Sequence, residues 1–225
     1  MKKVSVFIDG YNLYHAIAAL KKPHLKWINP KKLCNFFITD KSEIIFRVKF
    51  FTAPPIHKSS EIQARYHTFI SALAAHDIEI IEGNFKRKII SYKHDGKEFT
   101  RTTHEEKESD VNLSLAILED AYEKISDKLL VITNDSDIAP AIRIARKKNK
   151  NLKINVITPP LIKTKKANYD LADACGNVNR NKQGQTYFKT SMIKEFMLAE
   201  SIMPETITLK NSTEILIPEE YKLKI

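Results

Sequence analysis

Residues 4–9 have the sequence VSVFID, and residues 129–137 have the sequence LLVITNDSD. Each stretch is a short, mainly apolar run, rich in β-branched residues, and acidic side chains end it or follow it. Runs of this length and composition are typical of strands that are buried on both faces of a parallel sheet. Ligands of such sheets bind beyond the carboxyl ends of the strands, so we expect Asp9, Asp135 and Asp137 at one edge.

The chain from residue 4 to residue 158 alternates between predicted strands and predicted helices. Further strands are expected at 43–53, 78–85, 128–133 and 154–158, and helices at 12–20, 30–38, 59–76, 111–123 and 138–147. This alternation predicts an α/β fold with a mostly parallel central sheet and helices on both faces. The turn at Asp95-Gly96 predicts an inserted hairpin between residues 88 and 101.

The C-terminal region has a weaker pattern. We predict a domain at 1–175 and a C-terminal extension at 176–225 that packs on or near this domain. Residues 207–223 are expected to form an edge strand pair or an extended tail. An exposed strand edge could also support a homo-oligomer.

The composition limits the class of protein. The chain has 225 residues and a formal net charge of +10, which favours a polyanionic partner such as RNA. No apolar stretch approaches the roughly 20 residues that a membrane span needs, and the start lacks the apolar core of a signal peptide. We therefore expect a cytoplasmic protein that does not bind a membrane. Cys34 and Cys175 have no metal-binding spacing and are expected to be buried thiols.

Four carboxylates fall at the ends of predicted elements: Asp9, Asp110, Asp135 and Asp137. Each has a local explanation as a helix cap or a turn residue. If they converge, however, each pair about 4 Å apart repels by roughly 4 kcal/mol at an effective dielectric constant near 20. A domain with a stability of about 5–15 kcal/mol tolerates this only with a compensating cation or with altered protonation. Mg²⁺ and Mn²⁺ are the natural partners of such oxygen ligands.

A divalent cation in this position suggests phosphodiester chemistry. The cation would orient the phosphate, activate a water molecule and stabilise the leaving oxygen. The sequence contains no G-x-S-x-G, no Walker A loop and no H-E-x-x-H, and no G-x-G-x-x-G follows the first strand. With only five glycines, a glycine-rich phosphate loop is hardly available.

Three segments, 7–13 (FIDGYNL), 106–113 (EKESDVNL) and 133–137 (TNDSD), resemble the motif blocks of NYN domain proteins, which belong to the PIN-like nuclease superfamily. The resemblance covers roughly residues 3–175. It implies a Rossmann-like, three-layer PIN-like sandwich and metal-dependent ribonuclease activity. The chain departs from the family pattern at Ala116, where many members have another acid, and at Ile138, where many have an aromatic residue.

The resemblance also implies roles for individual residues. The four aspartates would bind Mg²⁺ or Mn²⁺ and form the catalytic centre. The residues expected to contact RNA or to orient the acids are Asn12, Lys107, Thr133, Asn134, Ser136, Lys163, Lys165 and Lys166. The last three belong to a basic loop that follows the last predicted parallel strand. The hairpin around Asp95 could form a lid over the pocket.

Three functions remain open at this point. The first is a metal-dependent ribonuclease that hydrolyses RNA phosphodiester bonds. The second is a non-catalytic RNA-binding module of the same fold, which the missing acid at Ala116 favours. The third is a metal-dependent phosphatase for small phosphorylated molecules, although Asp9-Gly10-Tyr11 lacks the second acid of an aspartyl nucleophile motif.

Overall fold

The fold is known from a computed structural model that describes residues 1–95, 97–162, 166–176, 178–180, 186–188 and 191–223. The strands of this part of the chain are β1 (Lys2–Asp9), β2 (Glu43–Thr52), β3 (Glu79–Glu82), β4 (Asn84–His94), β5 (Lys97–Lys107), β6 (Lys128–Ile132), β7 (Lys153–Thr158), β8 (Val178–Arg180), β9 (Thr186–Phe188), β10 (Ser191–Met192), β11 (Thr206–Thr208) and β12 (Glu214–Leu216). The α-helices are α1 (Gly10–Ala19), α2 (Pro30–Cys34), α3 (Ser60–Ala75), α4 (Ser109–Glu123), α5 (Ala139–Lys148), α6 (Tyr169–Ala174) and α7 (Glu195–Glu200).

The central sheet consists of six strands in the described residues, in the order β10-β7-β6-β1-β2-β3. Every neighbouring pair is parallel. The expected α/β sandwich with a parallel central sheet is therefore confirmed. Because β1 and β6 lie in the middle, the acids that follow them reach the same edge of the sheet.

Each strand of the centre contributes side chains to two hydrophobic cores. Val6 and Ile8 pack in the core on the side of α1, α2, α3 and α7, whereas Phe7 packs in the core beneath α4, α5 and α6. This alternation follows from the two-residue period of a strand. Burial of each such side chain contributes about 1.5–3 kcal/mol, which is why the apolar runs become central strands.

The first turn of α1 depends on Gly10. A Cβ atom on this residue would lie 2.5 Å from Phe50 Cε1 and 2.6 Å from the Phe51 carbonyl oxygen. Only a glycine lets α1 begin directly against β2, so the helix begins at Gly10 rather than at the predicted residue 12. The close approach brings Asn12 next to the carboxyl end of β1.

The inserted hairpin is longer than the sequence predicts. Strands β4 and β5 pair over their whole length, from Asn84–Lys107 at the base to His94–Lys97 at the tip. They form a two-stranded sheet of their own, which we call the ribbon. The ribbon leads directly into α4, which carries Asp110.

The C-terminal segment is integrated with the sheet. Strand β10 adds to β7, and Ile193, Leu198 and Met203 are buried in the core that also contains α1 and α3 side chains. Strands β11 and β12 pair with each other in a separate antiparallel sheet rather than at an edge of the central one. In the described residues, no helix is both long enough and apolar enough to cross a bilayer.

Candidate acidic pocket

A pocket of about 240 Å³ opens at the carboxyl edge of the sheet. Its acidic lining comes from three separate parts of the chain: Asp9 after β1, Glu106 and Asp110 around the junction of the ribbon with α4, and Asp135 after β6. The structure thus brings Asp9, Asp110 and Asp135 to one pocket. We call it the acidic pocket.

Asp9 is the most buried of these acids, with 7% of its surface exposed. Its Oδ1 accepts a hydrogen bond from the Asn12 backbone N–H (2.9 Å), and its Oδ2 accepts one from the Thr133 hydroxyl (2.9 Å). Burial raises the pKa of Asp9 to about 7, and the nearby Asp110 and Asp135 add to the shift. The two hydrogen bonds oppose this shift because they favour the charged carboxylate.

Thr133 connects Asp9 to Asp135. The Thr133 hydroxyl donates to Asp9 and also accepts from the Asp135 backbone N–H (3.0 Å). Asp135 caps the 3₁₀ turn Ser136–Ile138, since its Oδ1 accepts from the Asp137 N–H (3.0 Å). One buried hydroxyl therefore fixes two acids relative to each other.

Asp110 lies in the first turn of α4 and is half-buried. Burial raises its pKa to about 6, with further contributions from Asp135, Glu106 and Asp137. The chain enters the helix through Glu108, whose φ of 79° lies in the left-handed region. This conformation costs a non-glycine residue about 1–3 kcal/mol.

Glu106 is an acid of the pocket that is not among the site residues expected from the sequence. Its Oε1 is buried and has no hydrogen-bond partner among the described residues. Two features of the sequence point to Glu106. It is the first residue of the second motif block, and alternation along β5 places its side chain on the opposite face from that of Lys107. A buried carboxylate oxygen without a partner indicates a missing donor or cation.

Asn12 and Asn134 hold the loops of the pocket together. Asn12 Oδ1 accepts from the Asn134 N–H (3.0 Å), while the Asn134 side chain accepts from the Asn168 N–H (2.8 Å) and donates to the Lys166 carbonyl (3.2 Å). Asn12 thus contacts Asp9 through its backbone and not through its side chain. In this structure both side chains are occupied by loop contacts.

Other predicted site residues lie outside the pocket. Lys107 pairs with Glu105 (Nζ–Oε1 3.0 Å) on the opposite face of β5 from Glu106. Asp137 is exposed and does not line the pocket, although it raises the pKa of Asp110. Ser136 is half-buried and also does not line it. The side chain of Lys166 is exposed, and Lys163 and Lys165 lie outside the described residues.

The departure at Ala116 does not remove an acid from the pocket. Ala116 is buried in the core beneath α5, on a different face of α4 from Asp110. Asp120, one further turn on, is fully buried and pairs with Arg47 (2.8 Å) and the Ser126 hydroxyl (2.6 Å). Neither position bears on the acidic pocket, so Ala116 gives no support to a loss of catalysis.

The donor atoms suit a hard divalent cation, but the acids are not arranged as a finished ligand set. In the part of the chain that the structure describes, no group of three or more His, Cys, Asp or Glu side chains could hold a metal ion. The tight cluster of four aspartate ligands that the sequence predicts is therefore not present in this structure. Mg²⁺ is commonly held by only one or two carboxylates with water in its other positions, and the partnerless Glu106 oxygen fits this arrangement.

Comparison with known proteins places the chain in a family. The family model for the NYN domain matches residues 3–179. The chain is 32% identical over 200 residues to the 6-hydroxy-3-succinoylpyridine 3-monooxygenase HspA of Pseudomonas putida (strain DSM 28022 / S16). That match covers 75% of this chain and 63% of the relative's length, so the relative extends well beyond the matched part.

A solved structure shares the fold. It is a protein of unknown function from Vibrio parahaemolyticus, with a TM-score of 0.52 and 14% identity, and the match covers 86% of this chain and 94% of that one. The parallel central sheet flanked by helices is consistent with the α/β sandwich of the PIN-like nuclease superfamily. Within this superfamily, the chain belongs to the NYN domain family, whose members are generally nuclease-like and act on RNA.

Proposed function

We propose that the chain is a ribonuclease that hydrolyses RNA phosphodiester bonds with the help of Mg²⁺ or Mn²⁺ bound in the acidic pocket. One observation carries this proposal: buried Asp9 shares the pocket with Asp110, Asp135 and Glu106, and the pKa values of Asp9 and Asp110 are both raised. Such a concentration of acids repels RNA unless a cation is present. We also propose that the protein is located in the cytoplasm, where RNA substrates are found.

The bound cation would supply positive charge for the phosphate and lower the pKa of the attacking water. The residues of the chain would position the reaction. Asp9, fixed by Asn12 and Thr133, anchors the centre of the pocket. Asp110 is more exposed than Asp9, so its carboxylate can accept a hydrogen bond from the attacking water. Lys166 lies on the loop that Asn134 holds at the rim, where its exposed side chain can reach a substrate phosphate.

The test is cleavage of an end-labelled single-stranded RNA in Mg²⁺ or Mn²⁺. Asp9→Asn and Asp110→Asn should each reduce cleavage by at least about 100-fold while the circular dichroism spectrum stays native. Asp170→Asn is the control, since Asp170 is exposed on α6 and does not line the pocket. Equal cleavage by wild type and both pocket variants would reject the proposal. RNA binding without cleavage in either ion would select the non-catalytic module, and phosphate release from nucleotides with intact RNA would select a phosphatase.

A second candidate is hydroxylation of a small heteroaromatic compound. The 32% identity to a pyridine-ring monooxygenase favours it, although the match covers only 63% of that protein. A monooxygenase inserts one oxygen atom of O₂ and reduces the other to water with two electrons from a donor such as a reduced nicotinamide. Oxygen uptake with 6-hydroxy-3-succinoylpyridine and reduced nicotinamide would support this candidate. Absence of uptake, together with RNA cleavage, would leave the ribonuclease.

A further inference from the structure

A second cavity lies beside the acidic pocket, and α1 forms the wall between them. It has a volume of about 490 Å³ and lies between α1, α3, the carboxyl end of β2, the base of the ribbon and Tyr221. This volume falls in the range of roughly 300–1,000 Å³ that is typical of small-molecule sites. Tyr11 and His15 line both spaces. We call it the aromatic cavity.

Aromatic rings dominate part of the wall of this cavity. They come from Tyr11, Tyr14, His57, Tyr66, Phe69 and Phe85. The Tyr11 and Phe85 rings are 5.6 Å apart at 67°, and the His57 and Phe85 rings are 4.5 Å apart at 61°. A planar ring of a ligand could make stacked or T-shaped contacts with these side chains. Such contacts between aromatic rings are stabilising.

The charged lining of the cavity is entirely basic. Lys26, Lys58 and Arg65 line it, and no Asp or Glu does so among the described residues. Arg65 pairs with Glu220, while Lys26 Nζ lies 4.6 Å from the centre of the Tyr14 ring. Because Glu220 already neutralises Arg65, Lys26 and Lys58 are the cations that complement a ligand with a negative charge.

His57 contributes its ring to the lining of the cavity. Its Nδ1 is buried and has no hydrogen-bond partner among the described residues. The His57 ring stacks on the His104 ring with a centroid distance of 4.5 Å and meets the Phe85 ring edge to face. Because this nitrogen is closed off from solvent, the His57 ring would contact a ligand through its apolar surface rather than through Nδ1.

We propose that the aromatic cavity binds a planar aromatic ring that carries an anionic group. The rings provide stacking, and Lys26 and Lys58 complement the charge. The same chemistry is present in a base with its phosphate in RNA and in a free aromatic acid. The first source rests on the proposed ribonuclease function, because a nucleotide in the cavity would lie across Tyr11 and His15 from the phosphate that is cleaved in the acidic pocket. The cavity itself does not depend on that function.

Isothermal titration calorimetry of the full chain tests the proposal. The probes are uridine 5′-monophosphate, adenosine 5′-monophosphate and benzoate, with benzamide as the uncharged counterpart of benzoate. All titrations contain EDTA, so a phosphate cannot bind through a cation in the acidic pocket. At least one anionic probe should bind with a dissociation constant below about 1 mM, and benzoate, if it binds, should do so at least about fivefold more tightly than benzamide.

A matched pair of variants locates the binding. Ile62 lines the cavity from α3, so Ile62→Trp should fill the space and weaken binding by at least about tenfold. Ala64 is exposed on the same helix and does not line the cavity, so Ala64→Trp should change binding by less than about twofold. Native circular dichroism of both variants would show that the added ring, rather than unfolding, causes the difference.

The outcomes distinguish an RNA base from a small aromatic acid as the ligand. They also test the aromatic cavity and the ribonuclease activity separately. Binding of nucleotides but not benzoate identifies an RNA base, whereas binding of benzoate alone identifies a small aromatic acid. Failure of all the anionic probes, equal affinity for benzoate and benzamide, or an Ile62→Trp variant that binds normally would overturn the assignment of the cavity. Cleavage of RNA without probe binding would overturn only the cavity, and probe binding without cleavage would overturn only the ribonuclease.

Discussion

Asp9 combines two requirements that oppose each other. It caps α1 and ends the central strand, yet its carboxylate is buried close to two other acids. Burial of a charge without a cation is costly, and repulsion from Asp110 and Asp135 increases that cost. The hydrogen bonds from Asn12 and Thr133 offset only part of it. Asp9 is therefore the residue at which stability and chemistry are most directly coupled.

This coupling predicts how the unfolding free energy depends on pH when divalent cations are absent. The pKa of Asp9 in the folded protein, about 7, lies above the ordinary value of 3.8. The folded state thus holds this proton more tightly than the unfolded state. The contribution of Asp9 to stability is complete below about pH 4 and is lost as the pH rises towards about 7.

Asp9→Asn should therefore be more stable than wild type at pH 8 in EDTA. The gain has an upper limit of about 4 kcal/mol, at about 1.4 kcal/mol per pKa unit, and should shrink towards zero near pH 4. Urea denaturation at several pH values measures it. Asp170→Asn is the exposed control and should change stability by less than about 0.5 kcal/mol at every pH. A variant that is less stable than wild type at pH 8 would contradict the burial argument.

Thr133 is expected to act as a positioning residue for the proposed cleavage. Its hydroxyl donates to Asp9 and accepts from the Asp135 backbone. Thr133→Val preserves the shape but removes both bonds, so we expect kcat to fall by about 10- to 100-fold with little change in KM. Thr133→Ser retains the hydroxyl and should recover most of the activity. A fall in Thr133→Ser equal to that in Thr133→Val would show that the side chain acts through packing alone.

At the scale of elements, the ribbon stands apart from the central sheet. Strands β4 and β5 pair with each other and join no larger sheet. Ile89, Ile90, Tyr92 and Phe99 are exposed along it, and the Tyr92 and Phe99 rings stack at 5.7 Å. At its base, Glu106 lines the acidic pocket and Phe85 lines the aromatic cavity. Because basic and aromatic side chains lie next to the pocket, we expect the ribbon to contact RNA if the proposed function holds.

Shortening the ribbon tests this role. Residues 88–103 can be replaced by Asn-Gly, because Arg87 and His104 are directly opposed in the hairpin. The change removes Lys88, Lys93, Lys97 and Arg101, so affinity for single-stranded RNA should fall by about tenfold at low salt. The slope of log K against log salt should also become shallower by about 0.7 for each lost phosphate contact.

The control for this experiment is Lys147→Gln with Lys148→Gln. Both residues lie in the last turn of α5, at the opposite edge of the sheet from the acids. Arg146, in the same turn, donates to the Ala174 carbonyl (2.6 Å) and is left unchanged, so the contact between α5 and α6 is preserved in this control. RNA binding that depends on the α5 lysines and not on the ribbon would refute the assigned role.

The elements differ in how far the sequence determines them. Strands β1 and β6 were predictable because their side chains are apolar on both faces. The length of the ribbon was not, because exposed Lys, Thr and Glu residues carry no burial pattern. The left-handed backbone conformation of Glu108 could not be predicted from the sequence either, because the junction between the ribbon and α4 imposes it.

At the scale of the molecule, the strand order explains the site. Because β1 lies beside β6, Asp9 and Asp135 are brought to the same pocket. The first turn of α4 adds Asp110 to that pocket. The sequence predicts the common edge, but it cannot predict distances, because these depend on loop contacts such as Asn134 with Lys166 and Asn168. For the same reason the sequence predicted a tighter cluster of acids than the structure shows.

The C-terminal segment raises the question of how much of the molecule folds as one unit. The NYN match ends at residue 179, yet Leu198 is fully buried in the core shared with α1 and α3. Trp27 donates from its indole N–H to the Pro204 carbonyl (2.9 Å), and β10 extends the central sheet. These contacts favour an extension that packs on the domain, as we proposed for residues 176–225, and they imply cooperative unfolding.

Leu198→Ala tests that cooperativity. Removing a fully buried leucine should lower the unfolding free energy by about 2–5 kcal/mol. Phe196→Ala on the same helix is the control, because Phe196 is 50% exposed and its loss should cost about 1 kcal/mol or less.

If the extension and the domain unfold together, calorimetry will show one transition that shifts as a whole in Leu198→Ala, and the fluorescence of Trp27 will follow it. If the extension is an independent appendage, Leu198→Ala will produce an early transition of the C-terminal segment while the main transition stays in place. Because Trp27 is the single tryptophan of the chain and lies at this junction, its signal would then separate from the calorimetric midpoint of the sheet.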